Sequence, residues 1–207
     1  MLTLPPPYTE LALREGHDAF TRAVAEARAG DGAGLLVWTR RTGSVEAAVV
    51  LEPSEDLAIA RQVIAAGLAA VVEALLAISP PEKPLALVWP DRVLFDGGLV
   101  GGGQVAWPEG VMEDAVPDWL VFGFALRTLS DPDDAVPAAS LIDEGFDDFE
   151  NGPFVESFAR HFLHALDAWE TTGPHTALAR FAQFGAVGDR LALSGKPSWL
   201  SDGEIGH

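Results

Sequence analysis

Three groups of residues could do chemistry by their type and spacing. Asp91 and Arg92 directly follow Trp89-Pro90, and a glycine run, Gly97-Gly98-Leu-Val-Gly101-Gly102-Gly103, comes shortly after them. A guanidinium grips a carboxylate or phosphate through two parallel N–H bonds, and strand glycines let a ligand or another backbone approach closely. The bland alternative for Arg92 is a salt bridge to Asp91 or Asp96. Arg40 and Arg41, just past the apolar stretch Leu35–Trp38, read either as anion ligands or as exposed turn charges on a very acidic surface. His161 and His164, three apart in a helical pattern, have a metal-ligand spacing, but no third ligand accompanies them.

Much other chemistry is excluded by composition. There is no cysteine, so a disulfide framework, a thiolate zinc site and a cysteine nucleophile are all ruled out. The glycine run is followed by no Lys-Ser/Thr and opens no helix, so it is neither a phosphate loop nor a dinucleotide fingerprint. No Gly-x-Ser-x-Gly elbow is present, and the acidic run 143–150 lacks the spacing of a calcium loop. With 13 Lys+Arg against 31 Asp+Glu and a formal charge of −18, the chain has no basic footprint for nucleic acid or for an anionic membrane. Any cationic site must be built mainly from arginine, because Lys83 and Lys196 are the only lysines.

The elements that must position these residues follow from periodicity and turn chemistry. Leu2–Tyr8 is a proline-stiffened arm expected to lie extended. Apolar residues at Phe20, Ala23, Val24 and Ala27 predict a helix over 17–29 that stops at Gly30. Strands are expected near 35–38, 46–51, 85–89, 100–107 and 119–126, with a short segment Val93–Phe95 between the third and fourth. Pro90 ends the third strand, and Asp96-Gly97-Gly98 folds the chain back into a hairpin. Ser54 is a candidate cap for a helix over 57–78. That helix is apolar on most sides, yet Arg61 and Glu73 leave too short an uncharged run to cross a membrane, so it reads as a core helix. Asn151-Gly-Pro153 opens a further helix with an apolar face from Phe154 to Trp169, and a last one spans 175–184. The length of 207 residues suits one domain over 1–185 followed by a short hairpin or tail over 186–207. No basic, apolar leader opens the sequence, so the expected location is the cytoplasm.

Leu85-Ala-Leu-Val-Trp-Pro-Asp-Arg and its glycine hairpin resemble the Lys-Trp-Pro-Asn-Asp … Lys-Leu-Ala-Gly-Ile-Leu signature of biotin protein ligases, members of the biotin/lipoate protein ligase superfamily. Trp89 and Pro90 match, Asp91 and Arg92 take the places of Asn-Asp, Gly102 falls on the second strand's glycine, and the lysine position is Val88. Gly123 matches the first glycine of the family's Gly-Ile-Gly-Ile-Asn-Val strand, with Ala125 and Arg127 where a glycine and an asparagine are expected. Ser140-Leu-Ile-Asp-Glu-Gly145 is similar to its Ser-Leu-x-x-Glu-Gly entry to the C-terminal helices. Thr39–Gly43 stands in place of the Gly-Arg-Gly-Arg loop with two arginines and one glycine.

The resemblance implies an α+β fold, a mixed and mostly antiparallel sheet with packed helices, of the biotin protein ligase-like (class II synthetase-like) kind. It implies a small carboxylic acid as ligand (biotin, lipoate or a fatty acyl group), ATP as co-substrate, and a biotinyl or lipoyl carrier domain as partner. The residues it points to are Arg40, Arg41, Trp89, Asp91, Arg92, Gly101, Gly102 and Gly103. Two readings stand side by side. One is an enzyme that forms an acyl-adenylate for transfer to a carrier lysine; the other is a catalytically silent binding module on the same scaffold. Lys83 does not replace the missing lysine, since five residues along an extended strand place it on the opposite face, roughly 16 Å from Val88.

Overall fold

A computed structural model describes residues 1–30, 32–81, 83–130 and 139–188. Seven strands form one mixed sheet: β1 (Thr9–Leu13), β2 (Leu35–Thr39), β3 (Ser44–Leu51), β4 (Leu85–Val88), β5 (Arg92–Phe95), β6 (Gly98–Ala106) and β7 (Leu120–Arg127). Their order is β1-β2-β3-β7-β6-β5-β4, and every pairing is antiparallel except β1 with β2. The expected α+β class holds. Strand β1 is an addition: the proline arm does not stop at Tyr8 but delivers Thr9–Leu13 to the sheet edge.

The helices lie on both faces. Helix α1 (Ala19–Ala29) starts at Asp18, whose carboxylate accepts from the Thr21 N–H, and ends at Gly30 in the left-handed region. It covers β2, β3 and β7, burying Ala19, Ala23 and Ala27 against Val37, Ala48 and Val121. On the opposite face lie α3 (Val63–Leu76), α4 (Asn151–Thr172) and α5 (His175–Phe181), over the larger part of the core.

The single helix expected over 57–78 is two. A four-residue turn of helix, α2 (Leu57–Ala60), precedes α3, and the break falls at Arg61-Gln62. Ser54 is not the cap: Asp56 holds that position without a side-chain bond. The first helical N–H groups are instead satisfied by the acidic loop 109–118, Leu57 donating to the Ala115 carbonyl (2.9 Å) and Ala58 to that of Glu113 (3.0 Å). Leu57–Leu76 is long and apolar enough to cross a membrane, but most of it is buried inside the protein, between sheet and helices. Gly67 explains how closely it packs, since a Cβ there would stand 2.3 Å from the Phe122 ring. The last helix ends at Phe181, three residues before its expected end. The hairpin expected in the tail lies outside the described residues.

Candidate functional site

Strand register decides which residues share a face. Leu13 pairs with Thr39, Thr39 with Glu46, Glu46 with Ala125, Ala125 with Gly102, Gly102 with Arg92, and Arg92 with Val88. These residues form one row across the whole sheet, on the face that α1 covers at one end. Side chains alternate between faces along a strand, so Trp38, Ala47, Phe124 and Val93 next to this row belong to the opposite core. Between the charged side chains of Arg92 and Glu46 stand only a glycine and an alanine. Exposure falls along the row, from Val88 at 42% to Ala125 at 8%, Glu46 at 7% and Thr39 at 0%.

The structure sorts the expected site residues into two sets. Arg41, Arg92 and Gly102 belong to this face. Arg92 stands directly opposite both Val88 and Gly102, and Arg41 reaches Glu46, Nη1 to Oε1 3.0 Å. The others are placed differently. Arg40 turns away, its guanidinium 5.6 Å from the centre of the Trp38 ring, so the two neighbouring arginines do not form one clamp. Trp89 packs edge-on against Phe181 at 5.2 Å. The Asp91 side chain is buried, and its carbonyl accepts from the Gly103 N–H at 2.8 Å.

Two of the three glycines are explained by packing. Gly101 sits at φ +152° beside the register break at Val93/Leu94, where a Cβ would come within 2.1 Å of the Ala125 carbonyl oxygen. A Cβ on Gly103 would press on Leu68 and Phe122 at 3.0 and 3.2 Å, on the core side. Only Gly102 lies in the row.

The turn carrying Arg41 is held from several sides. Arg40 N–H donates to the Leu13 carbonyl (3.1 Å), and the Gly43 carbonyl accepts from Thr128 and Leu129 (2.9 and 3.2 Å). Asn151, the first residue of α4, donates its side-chain amide to the carbonyls of Arg41 (2.9 Å) and Ser44 (3.0 Å). Gly43 at φ +89° lets the chain reverse this tightly. Sequence reasoning gave Glu46 no role and left Thr39 and Arg127, though noted in the resemblance, out of the site residues. Thr39 donates to the His17 carbonyl (3.2 Å), and Arg127, buried at 6%, pairs in register with Ser44 on the same face as Glu46. The available signal was the polar pair Ser44-x-Glu46 inside a run of alanine and valine, since one face of a strand repeats every second residue.

Elsewhere, Lys83 bonds Glu144 (2.6 Å) and sits 5.7 Å from the Phe95 ring centre, far from any role at Val88. Glu73 on α3 accepts two bonds from Arg180 (2.7 and 2.6 Å), and His161 Nδ1 lies 3.2 Å from the same carboxylate. Among the described residues no group of three or more metal-ligating side chains is assembled. A cavity of about 430 Å³ lies at the far end of the sheet, beside Tyr8, Leu51 and Trp169. Its charged lining is Glu52, Glu55, Asp167 and Glu170, a poor setting for an anion.

Comparison with known proteins agrees with this architecture. The model of the biotin/lipoate A/B protein ligase family matches residues 4–183. A biotin protein ligase-like protein of unknown function from Silicibacter sp. TM1040 is 31% identical, with a TM-score of 0.83 over 89% of this chain and 81% of that one. Biotin protein ligase from Aquifex aeolicus is 17% identical, with a TM-score of 0.66 over 86% and 78%. The Leishmania major biotin protein ligase in complex with biotinyl-5-AMP is 17% identical, with a TM-score of 0.60 over 94% and 88%. The latter two share the fold. No curated protein matches the chain. With the family model spanning most of the sequence, the chain belongs to the biotin/lipoate A/B protein ligase family.

Proposed function

We propose that the protein binds a small carboxylic acid on the row just described, its carboxylate held by Arg92 and its body lying over Gly102 and Ala125. The observation that carries this is the register: a guanidinium on β5, then two of the smallest side chains, on the face away from the main core. Val88 and Arg92 are direct cross-strand partners, so their Cβ atoms are about 5 Å apart. A guanidinium at Arg92 therefore supplies positive charge one strand away from the position where the family's signature has lysine. Its planar fork suits a carboxylate better than it suits bridging two separate oxyanions.

That difference favours acid binding over acid activation. Forming an acyl-adenylate brings a carboxylate against the α-phosphate of ATP, and the reaction needs a cation that serves both. Val88 supplies none, and Arg41 is committed to Glu46. Removing one such stabiliser costs about 10²–10³ in rate. Related ligases are described with biotin and with ATP, so biotin, lipoate and octanoate, each with and without ATP, form the natural test panel. Calorimetry and ATP–pyrophosphate exchange on the same samples separate the readings. Binding of an acid without exchange is the expected result, and loss of that binding in Arg92→Ala locates it. Robust exchange would place the chain among working ligases that pass an acyl group to a carrier lysine. No acid bound at all would refute the proposal.

A further inference from the structure

The cavity at the far end of the sheet shares no lining residue with the acid site. It lies between the proline arm at Tyr8, the end of β3 at Leu51, helix α2 and the second half of α4, and its volume of about 430 Å³ is in the range of small-molecule pockets. Its floor belongs to the main core: Val63 and Leu120 are buried, and Leu166 packs on the same cluster. Its rim is acidic. Glu52, Asp167 and Glu170 are exposed, and none of the three carboxylates makes a hydrogen bond or ion pair among the described residues. Glu55 is held by the Trp169 indole N–H, which donates to it at 2.8 Å. No lysine, arginine or histidine is among the described residues that line the cavity. Leu163, Leu166, Asp167 and Glu170 recur at i, i+3, i+4 and i+7, so one face of α4 brings two leucines and two carboxylates to the same place. Glu170 stands in the last turn and Asp167 in the one before, at the negative end of the helix dipole, with no basic residue in that turn. Like charges gathered there cost stability, and a bound cation offsets that cost. Tyr8 is an independent pointer to the same spot. Its hydroxyl is buried with no hydrogen-bond partner among the described residues, a state that interior polar groups rarely tolerate. Burial first, and then the charge of Asp167, push its pKa above the ordinary range, so it remains a neutral hydroxyl with lone pairs to accept a bond.

We propose that this cavity binds a small amphiphilic primary amine, its ammonium held by Asp167, Glu170 and the Tyr8 hydroxyl oxygen, and its apolar body lying on Val63, Leu120 and Leu166. The lining selects among cations. Carboxylates and a hydroxyl oxygen accept N–H bonds, so an ammonium with three donors is recognised by charge and by hydrogen bonds, whereas a quaternary ammonium offers charge alone. A bare metal ion suits the place poorly, because the floor is hydrocarbon and no group of three or more metal-ligating side chains is assembled among the described residues. An alcohol of equal length fills the floor but leaves the negative rim uncompensated. The acid site at Arg92 shares no residue with this one, so either stands if the other falls.

The test uses octylamine, 1-octanol and octyltrimethylammonium, which share one body and differ in the head, titrated calorimetrically at neutral pH, where the amine is protonated. The wild-type chain is expected to bind octylamine at one site, at least tenfold more tightly than octanol and about threefold more tightly than octyltrimethylammonium. The double variant Asp167→Asn/Glu170→Gln should weaken octylamine at least tenfold. Asp147→Asn/Asp148→Asn removes the same charge ahead of the other end of α4, whose first residue lies about 24 Å along the helix from Asp167, and should change the affinity less than twofold. That control separates the cavity from the general attraction of a chain with a formal charge of −18. Tyr8→Phe keeps the ring and should erase the preference for octylamine over octyltrimethylammonium while both still bind. Thermal melts check that each variant is folded, and the wild-type comparison of the three heads needs no variant. No octylamine binding, octanol or octyltrimethylammonium binding as tightly as octylamine, or equal weakening by the two acidic double variants would overturn the site. A preference that survives Tyr8→Phe would overturn the part given to the hydroxyl.

Discussion

Replacing Asn151 with alanine tests how the site's turn is held. The side chain gives two hydrogen bonds, to the carbonyls of Arg41 and Ser44, and thereby ties the first residue of α4 to the β2–β3 turn. A typical bond contributes about 1 kcal/mol net, and a buried carbonyl left without a partner costs about 1–3 kcal/mol. Ser44 is buried and Arg41 half-buried, so water can repair the second loss better than the first. Together they come to about 2 kcal/mol, offset by about 0.5 kcal/mol because alanine is the better helix former. A net loss of about 1.5 kcal/mol in a domain of this size lowers Tm by about 3–6 °C. Thermal unfolding followed by circular dichroism gives the stability. Trypsin gives the local effect, since Arg40 and Arg41 are cleavage sites that a pinned turn protects, and Asn151→Ala should be cut there faster than wild type. Asn151→Asp should fare no better, because a carboxylate facing two carbonyls has nothing to donate. A shift in Tm under about 1 °C with unchanged cleavage would show that the turn needs no support from α4.

Further outcomes follow from the same geometry. Gly101→Ala should destabilise by several kcal/mol or abolish folding, because φ +152° and a Cβ 2.1 Å from the Ala125 oxygen leave it nowhere to go; a chemical-denaturation midpoint like that of wild type would contradict this. Glu73→Ala strips the partner from Arg180 and His161 at the junction of α3, α4 and α5, and is expected to cost about 2 kcal/mol by urea unfolding, less than a fully buried pair would. Burial works against ionisation of Glu10, but bonds from the Trp38 indole and the Leu2 N–H, with the N-terminus and Arg40 nearby, hold its pKa below the ordinary 4.5. A depressed carboxylate stabilises the fold above its unfolded pKa and loses that contribution as pH falls through the folded value. Glu10→Gln should therefore lower Tm at pH 7, and the gap to wild type should close as pH falls below the ordinary 4.5 and through the depressed folded value in a Tm-against-pH series; parallel curves would refute it. Val88→Lys restores a cation beside Arg92 at an exposed position, so it should fold normally and raise ATP–pyrophosphate exchange above the wild-type level.

The strands and the core were legible because their periodicity is strong. Leu35–Trp38, the glycine hairpin and Trp119–Leu126 read as strands, and the last of these lies buried at the centre of the sheet, as an apolar run suggests. β1 was not legible: Thr-Glu-Leu-Ala-Leu has one β-branched residue and pairs only along one edge, in parallel, with a strand far along the chain. The break in the apolar helix was equally hidden, since nothing local at Arg61-Gln62 is a helix breaker and the first turn depends on carbonyls from the loop near Ala115.

The site was half legible for a different reason. Trp89-Pro90 and the glycines located the neighbourhood, but which face each residue serves depends on register. Arg40 and Arg41 read as a pair, yet consecutive residues leaving a strand point to opposite sides, and Trp38 being in the core already commits Arg40 to that side. The break at Val93/Leu94 puts Gly102 rather than Gly101 opposite Arg92, and no local pattern announces it. The row through Glu46 emerges only when β3 is laid beside β7 and β6, because register alone links its residues.

The most direct measurement of the central claim is a crystal structure of the protein soaked with biotin. The account predicts a carboxylate within hydrogen-bond reach of Arg92 and the ligand's body over Gly102 and Ala125, running toward Glu46. Density in the acidic cavity beside Tyr8 and Trp169, or a carboxylate away from Arg92, would contradict it.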